Sequence, residues 1–319
     1  MAVLLLLPIE ASDAGWLGDM FKGSSKSGKA PKQQTAPKQA TAPKQPTAPK
    51  QRVTAAKPAA TPKHHSVKLA ALGPAAFNSP ISKPAATTCD PTKFRIAVDV
   101  GHTPESEGAI SARNIAEFVF NRRLAERIAE QLKAEGFSET RLLVTEGKAR
   151  RSLVKRVDAA HGLHANLFLS IHHDSVPDKF LEKWEFEGKK SHFSDRFSGY
   201  SVFVSRENPE FKTSLVFAEL VAKEMNAQGL QYAQQYSQPI MGRNQHPLLN
   251  KETGVYSYDK LIVLKSTKMP AVLLEAGSII NRDEELVMDS TERRNIISSG
   301  VTAAVKTFCN SRWAILGPL

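Results

Sequence analysis

The chain has 319 residues and a formal net charge of +11. That length allows one to three domains at roughly 100–200 residues each. The charge is uneven: Met20 to Cys89 holds twelve Lys or Arg and no Asp or Glu, the first 19 residues hold three acids and no base, and residues 90–319 keep +2. A nearly neutral remainder excludes reading the whole protein as a nucleic-acid binder from its basic balance.

In chain order, Ala2 to Pro8 is a short apolar run with no basic residue before it. A bilayer span needs about 20 residues, so the run is too short to cross. Residues 1–19 read as the remnant of a signal peptide and its junction, with a cleavage point near Glu10 to Ala14. An apolar N-terminus without a targeting role is the alternative. Export to the periplasm or cell envelope follows from the first reading, and no later segment is apolar enough for a stable transmembrane span.

Residues 30–51 repeat Ala-Pro-Lys-Gln four times, at 30–33, 36–39, 42–45 and 48–51. Each proline removes a backbone donor, and large apolar side chains are nearly absent. Such a stretch cannot bury enough surface to offset its conformational entropy. Residues 20–90 are therefore expected to form a disordered, basic Pro/Lys/Ala/Gln linker. It serves as a spacer, or as an electrostatic hold on an anionic envelope polymer. It has no interleaved aromatics to stack on bases, so no nucleic-acid partner is expected.

The folded region is expected over 91–319. Phe94–Val100 is a β-rich apolar run. Asn114–Glu135 has Ile115, Phe118, Leu124, Ile128 and Leu132 at helical spacing and stops at Gly136. Arg141–Val144, Leu167–Ile171, Ser201–Ser205, Leu261–Leu264 and Ala271–Leu274 read as strands. Ser152–His164, Pro209–Asn226 and Ser290–Phe308 read as helices. The alternation predicts an α/β fold, with a mixed or mostly parallel sheet covered by helices on both faces. Cys89 and Cys309 bracket this region. They are either two separate thiols or, in an oxidising compartment, a staple across its ends.

Three apolar strands run into ionisable groups: the first into His102, the next into His172, His173 and Asp174, the last into Glu275. In open α/β sheets, ligands bind beyond the carboxyl ends of strands. If these strands are parallel neighbours, His102, His172 and Glu275 meet at one edge, and Glu117 joins from the first turn of the following helix. Two imidazoles and a carboxylate form a catalytic zinc set with a position left open, and a further carboxylate is then needed to move protons. Each piece alone has a bland reading. A histidine after a strand can be structural, and a glutamate at a helix start can serve the dipole. Glu275 is harder to dismiss, because burying a carboxylate is costly unless it is paired.

Five stretches carry a resemblance: Val98-Asp99-Val100-Gly101-His102; Glu117 with Asn121 and Leu124; Arg156; Ser170-Ile171-His172; and Leu264 through Gly277 followed by Asn281. Together they resemble the zinc-dependent N-acetylmuramoyl-L-alanine amidases of the type 3 amidase family, over residues 94 to about 310. The resemblance implies that His102, Glu117 and His172 hold Zn2+, that Glu275 is the catalytic carboxylate, and that the sheet is mixed with about six strands. It implies a peptidoglycan substrate, cut between N-acetylmuramic acid and the L-alanine of the stem peptide. The chain departs from the family at Thr103-Pro104, where a second glycine is usual, at His173, where a small residue is usual, and at Ala276-Gly277, where Leu-Gly is usual. His172, not His173, occupies the matching position.

Asp178 to Gly188 is charged and aromatic and follows the second histidine strand directly. It reads as a surface loop with core anchors at Phe180, Trp184 and Phe186, or as a lid over the cleft with Glu182, Glu185 or Glu187 near the metal. The lid reading implies a protein activator that relieves it. Two competing functions stay open: a zinc peptidase acting on wall peptides, and a wall-binding module that does not cut.

Overall fold

A computed structural model describes residues 89–316. The expected signal remnant and nearly all of the linker lie outside the described residues. The sheet strands are β1 (Ile96–Val100), β2 (Thr140–Leu143), β3 (Leu167–Asp174), β6 (Ser201–Val204), β7 (Leu248–Asn250), β8 (Val255–Ser257) and β9 (Ala271–Ser278). β4 (Glu182–Phe186) and β5 (Lys189–Phe193) make a separate antiparallel hairpin. The helices are α1 (Glu117–Ala134), α2 (Ala149–Gly162), α3 (Phe211–Ala227), α4 (Ile262–Lys265), α5 (Arg282–Met288) and α6 (Thr291–Leu316).

The sheet has seven strands in the order β2-β1-β3-β9-β6-β8-β7. β2, β1, β3 and β9 are mutually parallel, while β6 runs antiparallel to β9. β8 runs parallel to β6, and β7 turns back on β8. The period of two along each strand divides the core. Val98, Val100, Leu169, Ile171, Val272 and Leu274 pack on one side with α1, α3 and α6. Ala97, Phe168, Phe203, Ala271 and Leu273 pack on the other with α2 and α4. Both faces are thus covered, as a largely parallel sheet requires.

Helix α1 forms where the pattern predicts, because Phe118, Asn121, Leu124, Ala125, Ile128 and Leu132 repeat at three and four and are all buried. It closes on Gly136 at φ +93°, a left-handed value that glycine adopts without a Cβ penalty. One expected strand is corrected: Ile262–Lys265 is a single helical turn, not a strand. A short apolar run has no periodicity to separate the two. β4, β5, β7, β8 and α5 were not anticipated; the stretch expected as a loop or lid is a two-stranded hairpin. The α5 start is fixed by Asn281, whose side chain accepts from the backbone N–H of Asp283 and Glu284.

Cys89 and Cys309 are joined as a disulfide, with Cα atoms 5.6 Å apart, and so tie the start of the domain to α6. Among the described residues no helix is long and apolar enough to cross a membrane.

Candidate metal centre

The parallel half of the sheet brings the expected residues together. Val100 pairs with Ile171, and His172 pairs with Glu275 on the next strand. Gly101 and His102 follow β1, and the Gly101 N–H bonds to the Ile171 carbonyl. Glu117 is the first residue of α1. His102, Glu117 and His172 are buried, and one ligand atom from each lies within 4.8 Å of the others. Glu117 faces both imidazoles: its Oε2 is 2.9 Å from His102 Nε2 and its Oε1 is 3.0 Å from His172 Nδ1.

Two glycines let the groups approach this closely. A Cβ on Gly101 would meet the His172 ring at 2.5 Å, and one on Gly108 would meet Glu117 Oε2 at 2.5 Å and the His102 ring at 2.6 Å. His102 itself has φ +67°, a left-handed backbone that is held from below. Arg156, buried on α2, donates from Nη2 to the His102 carbonyl, and its Nε lies 3.6 Å from Asp99 Oδ1. Ser170 Oγ donates to the other Asp99 oxygen at 2.7 Å. Asn121, one turn along α1, donates to Glu117 Oε1 and to the Gly101 carbonyl, and the Ala109 N–H donates to Glu117 Oε2. Such partners fix the ligand orientations.

The protonation states suit a cation. Burial would raise Glu117, but the two imidazoles hold it well below the usual carboxylate range. Burial pushes His172 down to about 4 against the pull of Glu117, so its ring is neutral at pH 7. Glu275 is 1% exposed and its Oε2 has no hydrogen-bond partner. Burial, with Asp174 and Glu117 nearby, pushes it well above the ordinary glutamate value. Asp174 is pushed up to about 8 by burial and accepts a bond from the Tyr236 hydroxyl.

His173 is not one of the clustered residues, although its backbone N–H donates to Glu117 Oε1 at 3.3 Å. Burial pushes His173 down to about 3, and its Nδ1 lies 2.8 Å from Asn121 Oδ1. The hairpin β4–β5 is not a source of ligands either: Glu182, Glu185 and Glu187 are exposed, whereas the cluster is buried. Trp184 Nε1 donates to the Ala112 carbonyl at 2.8 Å, and the Arg113 and Arg282 guanidiniums lie over the Trp184 ring at 5.8 and 5.3 Å. Of the three expected core anchors, Phe180 packs against the core, while Trp184 and Phe186 stack on each other outside it, and the three glutamates are exposed. Sequence reasoning missed Gly108, which no period marks, and Tyr236, which lies 62 residues from its partner Asp174.

Two imidazoles and a carboxylate at a sheet edge, beside a buried carboxyl whose Oε2 has no hydrogen-bond partner, make a donor set suited to a divalent ion and to hydrolysis. The family model described as N-acetylmuramoyl-L-alanine amidase matches residues 96–307. Amidase AmiA of Salmonella typhimurium is 25% identical over 243 residues, covering 68% of this chain and 76% of that protein. AmiA of Escherichia coli is 23% identical, covering 67% of this chain and 75% of its own. The crystal structure of the amidase Ami1 from Mycobacterium smegmatis superposes with a TM-score of 0.52 at 18% identity, over 69% of this chain and 98% of that one. The chain belongs to the N-acetylmuramoyl-L-alanine amidase family and is a peptidoglycan amide hydrolase.

Proposed function

We propose that His102, Glu117 and His172 hold a zinc ion and that Glu275 is the catalytic carboxylate. The observation that carries this reading is the convergence of the three ligand atoms within 4.8 Å, with Glu275 paired to His172 on the adjoining strand. When bound, zinc supplies Lewis acidity, polarising a carbonyl and lowering the pKa of water to about 7. The remaining work falls to the chain. Glu275, desolvated and with raised proton affinity, takes the proton of the attacking water as the new C–O bond forms at the lactyl carbonyl. It then gives that proton to the L-alanine nitrogen as the C–N bond breaks. The products are a lactyl carboxylate on the glycan and a stem peptide with a free amine. Arg156, Asn121 and Asp99 keep the imidazoles and Glu117 in place.

The disulfide and the wall substrate support export to the periplasm or cell envelope, with residues 1–19 as the signal remnant and 20–90 as a linker ahead of the catalytic domain at 91–319. A protein activator belongs to the lid alternative for the hairpin alone, in which it would relieve β4–β5.

Digestion of purified sacculi by wild type and by Glu275→Ala, with metal content measured on both, tests the assignment. The expected result is stem peptides beginning at L-alanine from wild type, and a variant that keeps zinc but loses cleavage. A folded variant that has lost zinc would mean that ligand and catalyst are interchanged.

A further inference from the structure

A small notch of about 30 Å³ opens directly beside the metal centre. One wall is the imidazole pair, His102 and His172, whose ring centroids lie 4.9 Å apart. Glu117 is not among the described residues that line it, so the notch is a separate space from the one between the three ligand atoms. The other walls are aliphatic: Leu153 from α2, Leu261 just ahead of α4, Val263 within it, and Leu273 from β9. Val263 and Leu273 are buried, and Leu153 and Leu261 are half-buried. The polar neighbours are engaged elsewhere: Ser152 Oγ donates to the Ala149 carbonyl, and Arg156 Nη2 to the His102 carbonyl. Leu273 and Glu275 are two apart on β9 and so share a face of the sheet, and Glu275 pairs with His172. A single water needs about 10–15 Å³ of such space, so the notch admits one methyl-sized group and no branched side chain.

We infer that this notch receives the methyl side chain of the first stem residue, L-alanine, with Leu153, Leu261 and Val263 as the specificity-determining residues. The inference rests on the amidase reading and deepens it. Glu275 delivers its proton to the alanine nitrogen, so that nitrogen must come to the end of β9. The alanine Cα is bonded to it, and Leu273 is the next side chain on the same face, about 7 Å back along the strand. A methyl on that Cα is thus carried toward the notch, whereas the lactyl methyl sits across the scissile bond, on the carbonyl side. Burying one methyl against aliphatic walls favours L-Ala over Gly. Forcing in one carbon more displaces packed side chains. A hydrophobic pocket discriminates by a single methylene about 10- to 200-fold.

The test uses the full chain, zinc-loaded, and soluble glycan fragments whose stem peptide begins with Gly, L-Ala or L-2-aminobutyrate. Wild type is expected to cleave the L-Ala fragment with kcat/KM about tenfold above either neighbour. Leu153→Ala enlarges the notch on a helix where alanine is well tolerated, and should bring L-2-aminobutyrate level with L-Ala or above it. Leu261→Ala, outside that helix, should do the same. Zinc content and a melting curve verify the fold of each variant. A fourth fragment, with glycolyl in place of D-lactyl, separates the two methyls: its kcat/KM relative to the L-Ala fragment should be the same in wild type and variants. Equal kcat/KM for the three first residues in wild type, or folded variants that both keep the wild-type ranking, overturns the inference, while continued cleavage leaves the amidase reading standing. Variants that change the glycolyl ratio instead assign the notch to the sugar side and overturn it too. Failure of wild type to cleave any fragment overturns both.

Discussion

The two halves of the sheet differ in direction and in content. In β2-β1-β3-β9 all strands run the same way, so their carboxyl ends lie along one edge, and that edge holds His102, His172 and Glu275. In β6 and β8 the direction reverses, with β7 turning back again, and Ser201, at the start of β6, is what meets Glu275. The second half contributes a packed aromatic group instead, with Phe203, Tyr236, His246, Tyr256 and Tyr258 in edge or tilted contact. Strand direction decides where polar chemistry can gather. Parallel neighbours align the ends of distant segments, and an antiparallel neighbour brings its beginning to the same place.

Breaking the first half should cost function outright. His172→Ala removes one of the proposed ligands and leaves Glu117 facing one imidazole, so zinc content and wall hydrolysis should both fall below about one hundredth of wild type. Metal analysis and sacculus release check it, and a variant with wild-type zinc would contradict the placement. Gly108→Ala is subtler. It places a Cβ 2.5 Å from Glu117 Oε2 on a backbone at φ +83°, so the ligand must shift. Zinc affinity should drop about tenfold, and the apo-protein should melt a few degrees lower, because Ala is strained at that backbone angle. Equal affinity in a zinc titration would show that the crowding is relieved elsewhere.

In the second half the effect should be on stability alone. Burial pushes His246 down to about 4 from the ordinary 6.5. The unfolded chain therefore binds the proton first, and stability present above about pH 6.5 is lost as pH falls toward 4. His172 and His173 act in the same sense, so in chelated protein His246→Gln should flatten the acid limb of the melting curve without removing it. A slope identical to wild type would show that His246 does not titrate on unfolding. Zinc content at pH 7 should be unchanged.

The sequence made the parallel half readable because each of its strands is a continuous apolar run that ends in an ionisable side chain, and because α1 repeats its apolar positions without interruption. The same rule misplaced Ile262–Lys265, where four apolar-rich residues carry no period. It left β7 and β8 unseen, since three-residue strands give too few alternations to register. His102, Glu117, His172 and Glu275 were legible as strand and helix ends. Gly108 and Tyr236 were not, because their roles arise from contact alone: one is defined by a missing atom, the other by a partner far along the chain. The hairpin showed its aromatic side chains in sequence, yet their half-burial beside exposed glutamates emerges only from the folded pairing of β4 with β5.

Zinc-edge X-ray absorption of the purified, metal-loaded enzyme addresses the central claim most directly. The account predicts one zinc per chain, coordinated by two imidazoles and a carboxylate, with one imidazole lost in either His102→Ala or His172→Ala. A spectrum with sulfur ligands, or with imidazole scattering unchanged in both variants, would contradict it.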